Sequence, residues 1–142
     1  MPGHTACLAH LRDTDRTTYL TSLTPGADID HRGTPFTQDL LAALLHALTD
    51  PSTSQPHLGP ARFDSAQFTG PAVFGEAQFT GIAWFNSAQF TGPAWFHGAQ
   101  FTGGARFSGV CFEGVSELGP LVCAGRVVLS SAVFVLPVKH WR

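Results

Sequence analysis

His4, Cys7 and His10 stand in a His-x-x-Cys-x-x-His arrangement that would bring three metal-ligating groups together near the N-terminus. Structural zinc takes four ligands, with spacings that recur as pairs. No fourth ligand is evident, because Cys111 and Cys123 lie far along the chain. The cluster is an incomplete metal candidate, and an incidental polar helix start is the simpler reading. Neither a metal nor any other cofactor is expected. Nucleophilic chemistry has as little support. A reactive thiol needs an electropositive setting, whereas the neighbours of Cys111 are Glu113 and Glu117. His31, His57 and His97 are predicted to lie in turns and a linker, with no acid or serine motif paired to them. The glycines recur periodically as turn residues, so GxG matches among them do not make a phosphate loop. No catalytic residue emerges, and the chain is expected not to be an enzyme.

The elements that position these residues are set by a repeat. Ten phenylalanines, Phe63, Phe68, Phe74, Phe79, Phe85, Phe90, Phe96, Phe101, Phe107 and Phe112, follow one another at alternating intervals of five and six residues. A fixed internal period decides the architecture before any local pattern does. Two places before each ring stands a small residue, from Ala61 and Ala66 through Ala105 to Val110. Residues two apart on an extended segment share a side. Ala and Phe therefore face inward together, and the residue between them faces out. Each pair is followed by turn chemistry, as in Thr69-Gly70, Thr80-Gly81, Thr91-Gly92 and Thr102-Gly103. The alternation continues past Phe112 to Leu118, Cys123, Leu129 and Phe134. Cys123 is then inward, a small core residue, and Cys111 outward. Fourteen sides make about three and a half coils, a rod on the order of 17 Å long at about 4.8 Å per coil.

The Ala-x-Phe-x-x units resemble the pentapeptide repeat family, over about residues 61 to 134. The resemblance implies a right-handed, four-sided β-helix with one repeat on each side. Two features depart from the family pattern. The sixth residue in alternate units lengthens the coil from the family's usual twenty residues to twenty-two. The outward position beside Phe is Gln, Arg, Val or Trp rather than Asp or Asn. In the twenty-two-residue register Phe63 stacks on Phe85 and Phe107, Phe68 on Phe90 and Phe112, Phe74 on Phe96, and Phe79 on Phe101. Each buried ring contributes roughly 1.5–3 kcal/mol, against ordering costs of about 1–2 kcal/mol per residue. The rings are therefore read as core.

The 142 residues carry 44% hydrophobic and 13% charged side chains, which suits a mainly β solenoid with a small helical appendage. A formal net charge of −2 gives no basis for binding nucleic acid directly. No cationic stretch precedes a long apolar run, so neither a leader peptide nor a membrane span is expected. Three scattered cysteines argue against a disulfide framework. The cytoplasm is the expected location. Residues 1–60 are read as a helical N-terminal cap region. Within it lie one broken or two short helices from Ala6 to about Leu23, with Asp13 as an internal cap. An amphipathic helix is then read with Thr34 as its cap and Pro35 at its first position, carrying Phe36, Leu40, Leu41, Leu44, Leu45 and Leu48 at helical spacing to about Leu48. Residues 50–60, rich in proline, are read as a linker. Between the helices Ala27, Asp28 and Ile29 match the family's small, outward and central sites, so 27–31 is predicted to pair with the first coil as a strand. The Leu-rich helix then caps the open end of the ring stack. The β-helix proper is placed at 61–136 and a C-terminal tail at 137–142. That end lacks a polar cap, so an end-to-end homodimer or a shortened relative of longer proteins is expected.

For the resembled family, the function implied is protection of type II topoisomerases by imitating DNA. Duplex DNA carries one charge per roughly 1.7 Å, so a rod of this length would need on the order of ten acids. Between Ala61 and Phe134 the four acids Asp64, Glu76, Glu113 and Glu117 are offset by Arg62, Arg106 and Arg126. The charge is far short, which leaves the mimic as the alternative reading. The favoured one is a non-enzymatic scaffold or protein interaction module whose partner the sequence does not name. Its candidate surface is Trp84 and Trp95, turned outward, with Arg62 and Arg106 beside Trp84. The outward Gln and Thr columns are read as stabilising the stack through side-chain hydrogen bonds.

Overall fold

A computed structural model describes residues 13–114, 116–117, 122–134 and 138–139. Helix α1 spans Asp13–Ser22, strands β1 and β2 Ile29–Asp30 and Pro35–Phe36, helix α2 Gln38–Ala47, and strands β3 and β4 Thr49–Asp50 and Gln55–Leu58. From Ala61 onward the chain is a run of two-residue strands. They wind into a β-solenoid of about three turns with four parallel sheets. Every pairing from Ala61 to Val133 joins residues twenty-two apart, for example Ala61 to Ala83, Gln67 to Gln89, Ala72 to Ala94 and Gln78 to Gln100. The extra residue in alternate units is thus absorbed into a longer coil.

The two spacings make two kinds of corner. Where five residues separate the rings, the chain turns tightly: the Ala66 amide donates to the Phe63 carbonyl at 3.0 Å, and Ala77 to Phe74 at 3.1 Å. The third residue of that turn takes a positive φ, 59° at Ser65, 62° at Glu76, 61° at Ser87, 75° at Gly98 and 69° at Gly109. Six-residue corners instead use Thr-Gly. The Thr amide and hydroxyl both donate to one carbonyl in the coil below, as Thr91 does to Phe68 at 3.0 and 3.1 Å. Glycine follows because neighbouring coils touch there. A Cβ on Gly92 would lie 2.6 Å from the Gly70 carbonyl oxygen.

Inside, the phenylalanines form near-parallel columns. Phe36, Phe68, Phe90, Phe112 and Phe134 stack with centroids 5.3, 4.6, 4.9 and 4.8 Å apart. Phe63, Phe85 and Phe107 repeat this at 5.2 and 5.0 Å, Phe74 and Phe96 at 5.0 Å, and Phe79 and Phe101 at 4.7 Å. Between columns the rings meet edge to face, as Phe74 and Phe85 do at 88°. Both geometries suit the ring quadrupole. The ten rings, the alanines two places before them and Val110 are all buried.

The first coil departs from expectation in three ways. β1 pairs with Ala61–Arg62, but Ile29 aligns with Ala61 rather than with Phe63. Ile29 therefore takes the small inward site, Asp30 the outward one and His31 the centre, two residues later than the Ala27, Asp28, Ile29 frame. The cause is the next corner. His31 and Phe36 are five apart like Phe63 and Phe68, Gly33 supplies the positive φ of 70°, and the Thr34 amide donates to the His31 carbonyl at 3.1 Å. Phe36, secondly, is not helical: β2 pairs with Gln67–Phe68 and extends the Phe68 column. α2 starts at Gln38, and its cap is Thr37, whose hydroxyl accepts from the Leu40 amide at 3.1 Å. Thirdly, the stretch read as a linker is structured. β3 and β4 form an antiparallel hairpin, and Leu58 is buried beside Phe79 on the fourth sheet.

The first coil has no strand on the third face, and α2 packs there against Ala72–Val73. Leu40, Leu41, Leu44 and Leu45 of α2 join the ring core, and Tyr19 and Leu20 of α1 with Leu23 beyond it pack partly buried against it. At the other end the core opens. Leu129 and Phe134 are only half-buried, and Cys123 is exposed although it pairs in register with Phe101. Cys123 is therefore not the core residue its inward position predicts.

Candidate functional site

Outward positions line up in columns because each pairing joins equivalent residues. The first face carries Asp30, Arg62, Trp84, Arg106 and Val128. The third carries Val73, Trp95 and Glu117. The second and fourth carry the glutamines, Gln67 next to Gln89 and Gln78 next to Gln100, with Cys111 on the far side of Gln89 and His57 on the far side of Gln78.

Trp84 and Trp95 are eleven residues apart in a twenty-two-residue coil, so they occupy opposite faces. The single surface expected from the sequence divides into two. Trp84 stays with Arg62 and Arg106; Trp95 has Val73 and Glu117 in its column. Both rings are half-buried. The Arg62 guanidinium carbon lies 4.2 Å from the centroid of the Trp84 ring, a cation–π contact of roughly 0.5–1 kcal/mol at a partly exposed site. It covers one face of the ring and leaves the side chain half-buried. Arg106, on the next coil, is exposed.

His31 is buried, not in an exposed turn. Its Nε2 lies 3.0 Å from the Tyr19 hydroxyl, and its ring meets Phe36 edge to face and tilts over Phe63 at 6.4 Å. Burial pushes its pKa down to about 4 and that of Tyr19 up to about 12. The imidazole is neutral near pH 7 and belongs to the stack. A five-residue spacing ahead of Phe36 was the signal that could have revealed it.

The remaining reactive groups do not converge. His57 lies 3.3 Å from the Thr80 hydroxyl. Cys111 is half-buried in the second-face column. Cys123 is exposed, yet partial desolvation holds its thiol pKa above the ordinary value, opposite to a nucleophile's requirement. His4, Cys7 and His10 lie outside the described residues. Among the described residues no group of three or more His, Cys, Asp or Glu side chains could hold a metal ion. Of the outward ladders, the Thr hydroxyls bond to the backbone of the coil below throughout, from Thr69 to Thr102. Among the glutamines, the Gln78 amide donates to Gln55 of the first coil.

The architecture is that of a four-sided β-solenoid repeat. Residues 63–110 match the family described as Pentapeptide repeats (9 copies). Over those residues the chain carries the repeat of the pentapeptide repeat family, in a form with regularly spaced phenylalanines. No curated protein and no solved structure matches it. The family is a scaffold family, usually non-catalytic.

Proposed function

We propose that the protein is a non-enzymatic scaffold that engages a protein partner through its first face. The observation that carries this reading is Trp84, half-exposed on a rigid sheet, held by Arg62 and followed by exposed Arg106. Trp and Arg are the residues that concentrate binding energy in protein contacts. A solenoid needs no rearrangement to present them, so little ordering entropy is lost on association. Affinity capture with wild type, Trp84→Ala and Trp95→Ala tests the reading. Trp84→Ala is expected to lose the captured partner and Trp95→Ala to keep it; equal capture by all three would refute the assignment.

A second copy is the partner favoured at the other end, where inward Leu129 and Phe134 remain half-buried. Sedimentation over a concentration series reads it as a dimer. Imitation of DNA is disfavoured by the arginines on the first face. Addition of the protein is expected to leave supercoiling by a type II topoisomerase unchanged. No helix among the described residues is long and apolar enough to cross a membrane.

A further inference from the structure

The corner leading into the first face holds a feature that the tryptophan does not explain. Ile82, Gly104 and Arg126 immediately precede Ala83, Ala105 and Val127, so they stack in the same register. Gly104 has a φ of 95°, and a Cβ placed on it would come within 2.8 Å of the Arg126 carbonyl oxygen. Gly104 lets the two coils close up at this point, and beside it lies a notch of about 60 Å³ lined by Ile82, the Gly103–Ala105 backbone, Arg106, Arg126 and Val128. Its size suits a carboxylate or a small side-chain end. Arg106 and Arg126 are both exposed, and neither forms an ion pair among the described residues. Of the first-face acids, Asp30 pairs with Arg32 at 2.8 Å; Asp64 follows Arg62, two coils before Arg106, and its Oδ1 is buried without a hydrogen-bond partner among the described residues. Two unneutralised guanidinium groups therefore flank a notch with apolar walls, one coil from Trp84.

We infer that this face binds an extended, carboxylate-bearing polypeptide segment, one carboxylate entering the notch between Arg106 and Arg126 and an adjoining apolar side chain lying on Ile82 and Trp84. The inference rests on the protein-contact reading above and specifies the partner's chemistry. Guanidinium groups match carboxylates through paired hydrogen bonds, and the Ile82 and Val128 walls suit an aliphatic neighbour. A nucleic acid is the less favoured ligand. Its affinity comes from many phosphate contacts, whereas this face offers three arginines on a chain of net charge −2.

The test is fluorescence anisotropy with a short labelled peptide alternating Glu and Val, a Gln-Val counterpart, and an oligothymidylate of matching charge. The Glu-Val peptide is expected to bind, to weaken about tenfold or more in Arg106→Gln/Arg126→Gln, and to weaken as salt rises from about 0.05 to 0.5 M. Arg106→Lys, which keeps the charge but loses the fork, is expected to fall between. Circular dichroism melts unchanged from wild type establish that these exposed substitutions leave the fold intact. The proposal is overturned by absence of Glu-Val binding, by equal binding to the double variant, by equal binding of the Gln-Val peptide, or by tighter binding of the oligothymidylate. If the peptide fails while Trp84→Ala still loses its captured partner, the acidic chemistry falls and the contact reading stands. If both fail, both fall.

Discussion

The middle coils and the first coil solve the same packing problem in different ways. Between Phe63 and Phe112 each side is an Ala, or in the last case Val110, with a Phe, both corners are regular, and the register advances by twenty-two without exception. In the first coil the registers of the first two faces advance by thirty-two, from Ile29 to Ala61 and from Pro35 to Gln67. The ten extra residues are taken up by α2 and the hairpin after it. His31 and Leu58 replace rings, and leucines from α2 fill the side that has no strand. The repeat can extend only by adding an identical coil; to stop, it needs a layer with an apolar inner surface and a satisfied outer one. A helix satisfies its own backbone, so it can end a stack that a strand would leave open.

The largest expected effect breaks the middle. Phe90→Ala removes a ring stacked on both sides and should cost about 3–5 kcal/mol in urea denaturation. Phe36→Ala, with a ring neighbour in its column on one side only, should cost less; an equal or larger loss would show that the first coil is not the looser layer.

The largest shift of an imidazole or carboxyl belongs to the first coil. His31 has a folded pKa of about 4 and an ordinary value near 6.5. Between those values the unfolded chain binds the proton and the folded one does not, so stability rises with pH. It is full above about 6.5 and falls, by up to roughly 3 kcal/mol, as pH drops to about 4. His31→Phe should flatten that slope while continuing the Phe63 column. A slope unchanged in the variant would assign the titration to another group.

Smaller effects sharpen the account of the corners. Gly92→Ala drives a methyl group against the Gly70 carbonyl and should cost about 1–3 kcal/mol, read as a lowered melting temperature. Gln89→Ala, on an exposed column, should cost well under about 1 kcal/mol. Similar losses at Gln89 and Phe90 would contradict the inward and outward facing on which the faces depend.

Much of this was legible in the residues. The inward Ala and Phe, the outward Trp84 and Arg62, and the twenty-two-residue coil all follow from one period, and the structure reproduces them. The separation of Trp84 from Trp95 was legible too, since eleven is half of twenty-two, but it requires reading the coil as closed. The first coil was not legible as a coil. Its strands are single copies without a repeating neighbour, and α2 interrupts them, so Phe36 passed for a helix residue and Gln55–Leu58 for a linker. His31 was hidden by its chemistry: an imidazole counts as polar until a layer of rings and Tyr19 close over it.

Sequence periodicity alone determined which way each side chain in the repeat points, because the alternation along an extended strand is a property of the backbone. Tertiary structure alone decided what becomes of the ends and of the surface. Burial at His31 or Cys123 depends on whether another layer lies above, and the notch beside Gly104 exists only because Ile82 and Arg126, distant in the chain, are stacked on either side of it. Those are relations between coils, and no local pattern encodes them.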